Sequence, residues 1–252
     1  MTASHLVAAL ARGGRIRYFV WPFNVVWFIR RLLRGGYYQE ARDAVWTTLT
    51  SLRLGHYFWL GVRGWAAALV WLLLPVTMMG AGNAPVPIIA PLFGWLGAIM
   101  LIVVVVYLPF LQARMVEQDR FLAVFEILEV RMAYQRAPWS FALSYVITLL
   151  SALPLYLLKI EVLPREAAWL PGLFFIAFIF PARLLSGWAM ACANARKNQT
   201  HWFFIWTGRI PIIPVTLLYV LIVYFTQFTS WNGVWSLYEQ HAFLLPVPFF
   251  GM

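Results

Sequence analysis

Long apolar runs, separated by short polar or charged segments, make up most of the chain. Five of these runs are long enough to cross a membrane as helices: 57–79, 86–111, 139–158, 168–192 and 210–228. A helix rises about 1.5 Å per residue, so about 20 apolar residues span a hydrocarbon core that is roughly 30 Å thick. The pattern therefore predicts an all-α integral membrane protein with about five transmembrane helices, in a membrane domain over residues 57–228.

Two shorter apolar patterns precede the first predicted span. Residues 18–29 form a run too short to cross a membrane, and arginines flank it on both sides. Such a segment is expected to lie in the membrane interface as a helix or to form a re-entrant loop. Val45, Leu49 and Leu52 then recur at helical spacing and predict a second surface-lying helix. Residues 1–56 are therefore predicted to form basic interfacial helices on the cytoplasmic side.

The segment 113–138, between the second and third predicted spans, has a different pattern. Phe121, Phe125, Leu128 and Met132 recur at the spacing of one helix face, with charged residues around them. This predicts an amphipathic cytoplasmic helix whose apolar stripe docks either on the protein's own spans or on a partner. The four cations and four anions of the segment cancel, so its attraction to anionic lipid is expected to be weak.

The composition excludes a soluble globular protein. Of 252 residues, 63% are hydrophobic and only 11% are charged, against the roughly 25% usual in soluble domains. The net charge is +10, and the cations lie between apolar segments rather than in a water-facing domain. This distribution favours membrane lipids with anionic headgroups as partners and excludes nucleic acid. Seventeen of the nineteen cations are arginine, which fits anchoring to lipid phosphate or, equally, a codon bias of the genome.

The distribution of cations also predicts the orientation of the chain. Cytoplasmic loops carry an excess of lysine and arginine. With the N-terminus inside, fifteen of the nineteen cations fall on the cytoplasmic side, and only Lys159 and Arg165 fall on the opposite side. The C-terminal tail, residues 229–252, has no cation and is rich in aromatic residues, which is typical of an outer-interface segment. We therefore expect a cytoplasmic N-terminus and a C-terminus outside.

The remaining two cations, Arg63 and Arg183, lie inside predicted spans at similar depth. Cations within a membrane are expected to be functional, so these are the candidate anion-binding or lipid-phosphate-binding residues. Two interpretations stay open: each side chain extends to the interface to reach lipid phosphate or water, or the two share a polar cavity that binds an anion. Because no predicted span contains Asp or Glu, we expect the partner to be an anion, a helix C-terminus or lipid phosphate.

No pattern in the sequence indicates catalysis. Cys192 is the only cysteine, the four histidines are scattered, and no nucleophile motif or glycine-rich phosphate loop occurs. We therefore expect no metal site, no cofactor and no enzymatic activity. The leading hypothesis is a non-enzymatic component or scaffold of a membrane complex with a hetero- or homo-oligomeric partner. The alternatives are a small anion or solute transporter or channel that uses Arg63 and Arg183, and then a lipid-modifying enzyme.

Four motifs in roughly the C-terminal half carry a resemblance to a known family. They are Ala137–Trp139, Lys159–Glu161, Phe180–Arg183 and the tail segment Tyr238–Pro248. In these the chain resembles a bacterial multi-pass membrane family of unknown function. The resemblance implies a bacterial inner membrane, and it assigns no role to any residue.

Overall fold

The computed structural model of the chain describes residues 29–30, 33, 35–83, 85, 89–157, 173, 175–229 and 233–239. Regular structure in these residues is entirely helical, without a β-strand, which confirms the predicted all-α class. The α-helices are α1 (Tyr37–Ser51), α2 (Leu54–Ala81), α3 (Ile89–Gln118), α4 (Ile127–Arg136), α5 (Pro138–Leu157), α6 (Phe180–Asn194), α7 (Trp202–Thr207), α8 (Arg209–Thr229) and α9 (Ser236–Glu239). The chain divides into two compact units, residues 1–61 and 62–252.

In the first unit, α1 follows a pair of glycines. Gly35 and Gly36 have φ angles of 72° and 74°, a left-handed conformation that costs glycine little. The predicted helix at Val45 and Leu49 is confirmed, whereas Leu52 lies in the turn that ends it. The position of α1 at a membrane surface stays a prediction.

In the second unit, α2 and α3 form an antiparallel pair with very close backbones. A Cβ atom added to Gly97 would lie 2.6 Å from the backbone nitrogen of Met79 and 2.7 Å from the carbonyl oxygen of Pro75. One added to Gly82 would lie 2.8 Å from Cα of Gly94. Small residues permit this approach, which is how helices associate where no hydrophobic effect drives them together.

The core of the second unit lies among α3, α5, α6 and α8, where α6 and α8 each contact both α3 and α5. The rings of Phe110 on α3 and Phe141 on α5 pack with centroids 4.4 Å apart. The hydroxyls of Tyr145 on α5 and Thr216 on α8 form a buried hydrogen bond of 2.7 Å, so these polar groups satisfy each other. The outer faces of the helices carry exposed large apolar side chains, as lipid-facing helices do.

Among the described residues, three helical stretches are long and apolar enough to span a membrane: Arg42–Ala81, Ile89–Gln118 and Trp202–Phe228. They include or largely cover the first, second and fifth predicted spans. The third predicted span corresponds to α5. The fourth begins outside the described residues and continues as a π-helical turn, Phe175–Ile179, followed by α6. The structure therefore supports a membrane protein with three candidate spans, and the number five stays a prediction.

The prediction of one continuous amphipathic helix over 113–138 is wrong. Helix α3 continues to Gln118, a 3-10 helix spans Phe121–Phe125, and α4 begins only at Ile127. The break occurs at Asp119, whose φ of 49° is left-handed and incompatible with a continuing helix. The helical spacing of the four apolar residues therefore does not correspond to one helix face.

Two other predicted segments are described only in part. Of residues 18–29 only Ile29 is among the described residues. Of the tail 229–252, Gly233–Glu239 packs against α8, and Leu237 is fully buried there. This part of the tail is therefore folded onto the bundle, while residues 230–232 and 240–252 lie outside the described residues.

We predict that Gly97→Ala destabilises the second unit, because the new methyl group meets the backbone of α2. The expected loss is about 1–3 kcal/mol, the usual cost of overpacking. The measurement is thermal unfolding of the purified protein in detergent, with Gly187→Ala as the matched control. A Cβ at Gly187 on α6 meets no atom within 4 Å, so this variant should be neutral or slightly stabilised. Equal melting temperatures of the two variants would contradict the close contact.

Candidate functional site

Most of the described charged side chains of the second unit gather at one end of the helix bundle. Several hydrogen bonds hold this end together. Thr200 donates from its backbone nitrogen to the carbonyl of Gln135 (3.0 Å) and from its hydroxyl to the carbonyl of Arg136 (2.8 Å). The side chain of Asn194 donates to the Glu117 carboxylate at 2.6 Å. We call this region, formed by residues 113–138 and 194–209, the charged end.

Arg63 on α2 reaches the charged end and forms an ion pair there. Its Nη1 lies 2.8 Å from Oδ1 of Asp119 and 3.3 Å from the carbonyl oxygen of the same residue. Of the expected partners (an anion, a helix C-terminus or lipid phosphate), the structure shows the C-terminal end of α3, where Asp119 offers both its carboxylate and its backbone carbonyl. Asp119 lies outside every predicted span, in the turn immediately after α3.

Arg114 is the centre of a second group of charges. Its guanidinium lies 3.4 Å from Glu117, 3.4 Å from Glu126 and 3.9 Å from Glu129. Arg120 also pairs with Glu126. Only 20% of the Arg114 side chain is exposed, so these pairs are less screened by solvent than the usual surface salt bridge. The break after Gln118 allows this network, because it turns Glu126 and Glu129 back toward α3.

The predicted apolar stripe is divided between two environments. Phe121 packs against the core of the bundle, beside Phe125. In contrast, Phe125, Leu128 and Met132 are 47%, 72% and 44% exposed. Between Phe121 and Arg136, the residues that are buried against the bundle are Ala123, Val124, Val130 and Ala133. We call the exposed trio Phe125, Leu128 and Met132 the outer patch.

The 3-10 helix that begins this segment folds back along the bundle. The indole nitrogen of Trp71 donates to the carbonyl of Val124 at 3.3 Å, and its ring stacks on Phe125 with centroids 6.0 Å apart. Trp71 lies about two helical turns beyond Arg63 along α2, at about 1.5 Å per residue. Phe125 therefore lies beside α2. The part of α2 that it contacts, at Trp71, belongs to a stretch that is apolar enough to span a membrane.

A mixed cavity of about 770 Å³ adjoins the outer patch. Its walls combine both guanidiniums and two of the three carboxylates of the network with apolar side chains: Arg114, Gln118, Arg120, Phe125, Glu126, Ile127, Leu128 and Glu129. The helical spacing of apolar residues in the sequence predicts Phe125 and Leu128 as surface residues of interest, but it does not indicate Arg114 or Glu126 beside them. The sequence signal for these residues is the group of four carboxylates and four arginines within 113–138.

Arg183, the second candidate, lies in the first turn of α6, two residues after Pro181. Its neighbour Ala182 is buried, and the carbonyl of Ala182 accepts hydrogen bonds at 3.4 Å from Thr148 on α5 and from Ser186. Neither Arg63 nor Arg183 lines the mixed cavity. Among the residues that the structure describes, no group of three His, Cys, Asp or Glu side chains has an arrangement that holds a metal ion.

Comparisons with known proteins do not extend this description. No family model matches the chain, and neither the curated proteins nor the solved structures give a match. The described residues form a helical protein in which three helices are able to span a membrane. The resemblance carried by the four sequence motifs stays a prediction.

We predict that the ion pair of Arg63 and Asp119 stabilises the packing of α2 on α3, at the end of the helix pair opposite the loop that joins them. Asn is the suitable replacement for Asp119, because it tolerates the left-handed backbone there while removing the charge. A double-mutant cycle of Arg63→Gln and Asp119→Asn, measured by SDS titration in mixed micelles, should give a coupling of about 0.5–1 kcal/mol, since the pair is partly exposed.

The control for this cycle is the pair Arg42 and Asp43 on α1, which has the same 2.8 Å separation but is about 65% exposed on both sides. Its coupling should be close to zero. A coupling at Arg63 and Asp119 that does not exceed the control would show that the ion pair contributes nothing to stability.

Proposed function

We propose that the protein is a non-enzymatic component or scaffold of a membrane complex. The proposal places it as a multi-pass protein in a bacterial inner membrane, with its N-terminus in the cytoplasm and its C-terminus outside. Three helices able to span a membrane support the membrane assignment. The excess of cations between alternate spans supports the orientation, and it makes the charged end cytoplasmic.

The observation that carries the proposal is the mixed cavity together with the outer patch. Leu128 is 72% exposed at its edge, while a charged network centred on Arg114 forms part of its wall. Protein interfaces combine an apolar core with charged pairs at the rim, and arginine is enriched in them. The surface therefore has the composition of a binding site for another protein.

The location of this surface favours a protein partner over lipid alone. Acyl chains cover apolar side chains well, but they leave the Arg114 network without hydrogen-bonding groups. Water satisfies that network but leaves Phe125 and Leu128 exposed. A membrane protein partner that offers apolar side chains beside polar groups satisfies both. Because Phe125 stacks on Trp71 within a candidate span, we propose that this partner binds from the side, at the membrane boundary.

The alternative of a small anion or solute transporter has weaker support. It requires Arg63 and Arg183 to select an anion in a shared cavity. Asp119 already supplies a carboxylate to Arg63, which neutralises its charge. The mixed cavity, which does contain arginines, contains carboxylates as well, and these repel an anion.

We predict that Leu128→Asn combined with Met132→Asn disrupts the complex. These substitutions replace exposed apolar side chains by polar ones, so the fold should persist while the apolar part of the interface is lost. The measurement is the mass of the intact assembly after extraction in mild detergent, by native mass spectrometry. Wild-type protein should appear in a stable assembly of defined stoichiometry, and the variant should retain it about tenfold less, as expected for loss of about 1.4 kcal/mol of binding.

Val116→Asn is the matched control, because Val116 is 49% exposed on α3 and lies outside the outer patch. This variant should assemble like the wild type. A wild-type protein that appears only as a monomer with bound lipid would overturn the proposal and direct attention to anion flux through Arg183→Ala. An assembly that survives the double substitution at equal membrane levels would remove the outer patch from the interface.

A further inference from the structure

A second cavity, of about 330 Å³, opens between α3, α4, α5 and α8. Its size is at the lower end of the range for ligand pockets. Most of its wall is apolar or aromatic, including Val106 and Phe110 from α3, Phe141 from α5 and Ile212 from α8. Ile213, also in the wall, is 57% exposed, so the cavity opens sideways on the outer surface of the bundle. We call it the lateral cleft.

Two arginines give the lateral cleft a cationic end. Arg131 comes from α4 and Arg209 from the first position of α8, so both belong to the charged end. The guanidinium of Arg209 lies 4.7 Å from the ring centre of Trp206, an aromatic contact that holds the side chain in place. No carboxylate of the described residues lies within ion-pair distance of Arg131 or Arg209, in contrast to Arg63, Arg114 and Arg120.

The backbone around the cationic end is closely packed. The hydroxyl of Tyr134 donates to the carbonyl of Ile205 at 2.9 Å, which connects α4 to α7. Burial raises the pKa of Tyr134, and the charge and the hydrogen bond of the Arg209 side chain only partly offset this, so Tyr134 and Arg209 lie close together. A Cβ at Gly208 would lie 3.0 Å from that hydroxyl and 3.1 Å from Cβ of Pro138, so glycine permits this approach of α8.

Apart from the two arginines, the polar side-chain groups in the wall of the lateral cleft are the hydroxyls of Tyr107, Tyr134 and Tyr145. The hydroxyl of Tyr145 forms a hydrogen bond with the hydroxyl of Thr216, so it does not require a hydrogen bond from a ligand. The depth of the cleft is therefore suited to a hydrocarbon chain, and only its cationic end is suited to an anion. A guanidinium pairs well with phosphate, in bidentate geometry.

We propose that the lateral cleft binds one anionic phospholipid, with its phosphate at Arg131 and Arg209 and one acyl chain between α3, α5 and α8. The opening at Ile213 gives a lipid access from the bilayer. The two guanidiniums without a carboxylate nearby favour a net negative headgroup over a zwitterionic one, whose ammonium group they repel. This site is separate from the outer patch and the mixed cavity, so it does not depend on the proposed partner.

The test uses the delipidated full-length protein in neutral detergent, with dioleoyl phosphatidylglycerol as the probe and native mass spectrometry as the readout. One lipid should stay bound per chain. Dioleoyl phosphatidylcholine, with the same acyl chains, should bind about tenfold more weakly, and Arg131→Gln combined with Arg209→Gln should weaken phosphatidylglycerol binding by about tenfold or more.

Two further variants separate the contributions of charge and shape. Arg196→Gln combined with Lys197→Gln removes two positive charges from the same end but outside the lateral cleft, and it should bind lipid like the wild type. Val106→Phe partly fills the cleft while keeping both arginines, and it should weaken lipid binding by about tenfold at an unchanged melting temperature.

Three results would overturn the proposal. The first is equal binding of the two lipids, which would show that the arginines do not select charge. The second is displacement of the lipid by equimolar inorganic phosphate, which would make this a site for a small free anion. The third is equal loss of binding in the variants inside and outside the cleft, which would show only a general attraction of the charged end for anionic lipid.

Discussion

The close approach of α2 to α3 is the contact on which the charged end depends. Gly82 lies against Gly94, Gly97 against the backbone of Met79, and the side chain of Gln112 donates to the carbonyl of Gly64 at 2.9 Å. These contacts share a single antiparallel register, so fixing one fixes the others. Helices in lipid associate through packing and hydrogen bonds rather than through the hydrophobic effect, which gives such small-residue contacts their importance. The register sets how far Arg63 and Trp71 lie from the end of α3.

At that end, one backbone break decides where the charges go. Because α3 stops at Gln118 and Asp119 adopts a left-handed conformation, the chain returns toward the bundle instead of continuing away from it. Arg63 then meets Asp119, and Arg114 meets carboxylates from both sides of the break. Arg131 and Arg209 have no such carboxylate among the described residues. The same end of the bundle thus contains a neutralised network and a cationic cleft, two surfaces with different binding chemistry.

Sequence reasoning succeeded where one strong physical signal acts over many residues. Apolar runs such as Ile89–Gln118 have no stable alternative to helices in a membrane, because every backbone group must be hydrogen-bonded within the segment. It failed at residues 113–138, where helical periodicity suggested one helix and a local left-handed residue divides the segment. It also identified Arg63 but not Asp119 as its partner. Asp119 is 56 residues away in sequence, and the two side chains meet only because α2 packs on α3.

The sequence by itself determined the class of the protein, the all-α architecture and the existence of at least three apolar helices, because composition and run length alone decide whether a segment is stable in lipid or in water. It also marked Arg63, Phe125 and Leu128 as residues of interest. Only the tertiary structure decided which carboxylate neutralises Arg63, which face of the segment after α3 is buried, and that Arg131 and Arg209 share one cleft. These outcomes depend on contacts between distant residues, which no local spacing in the chain encodes.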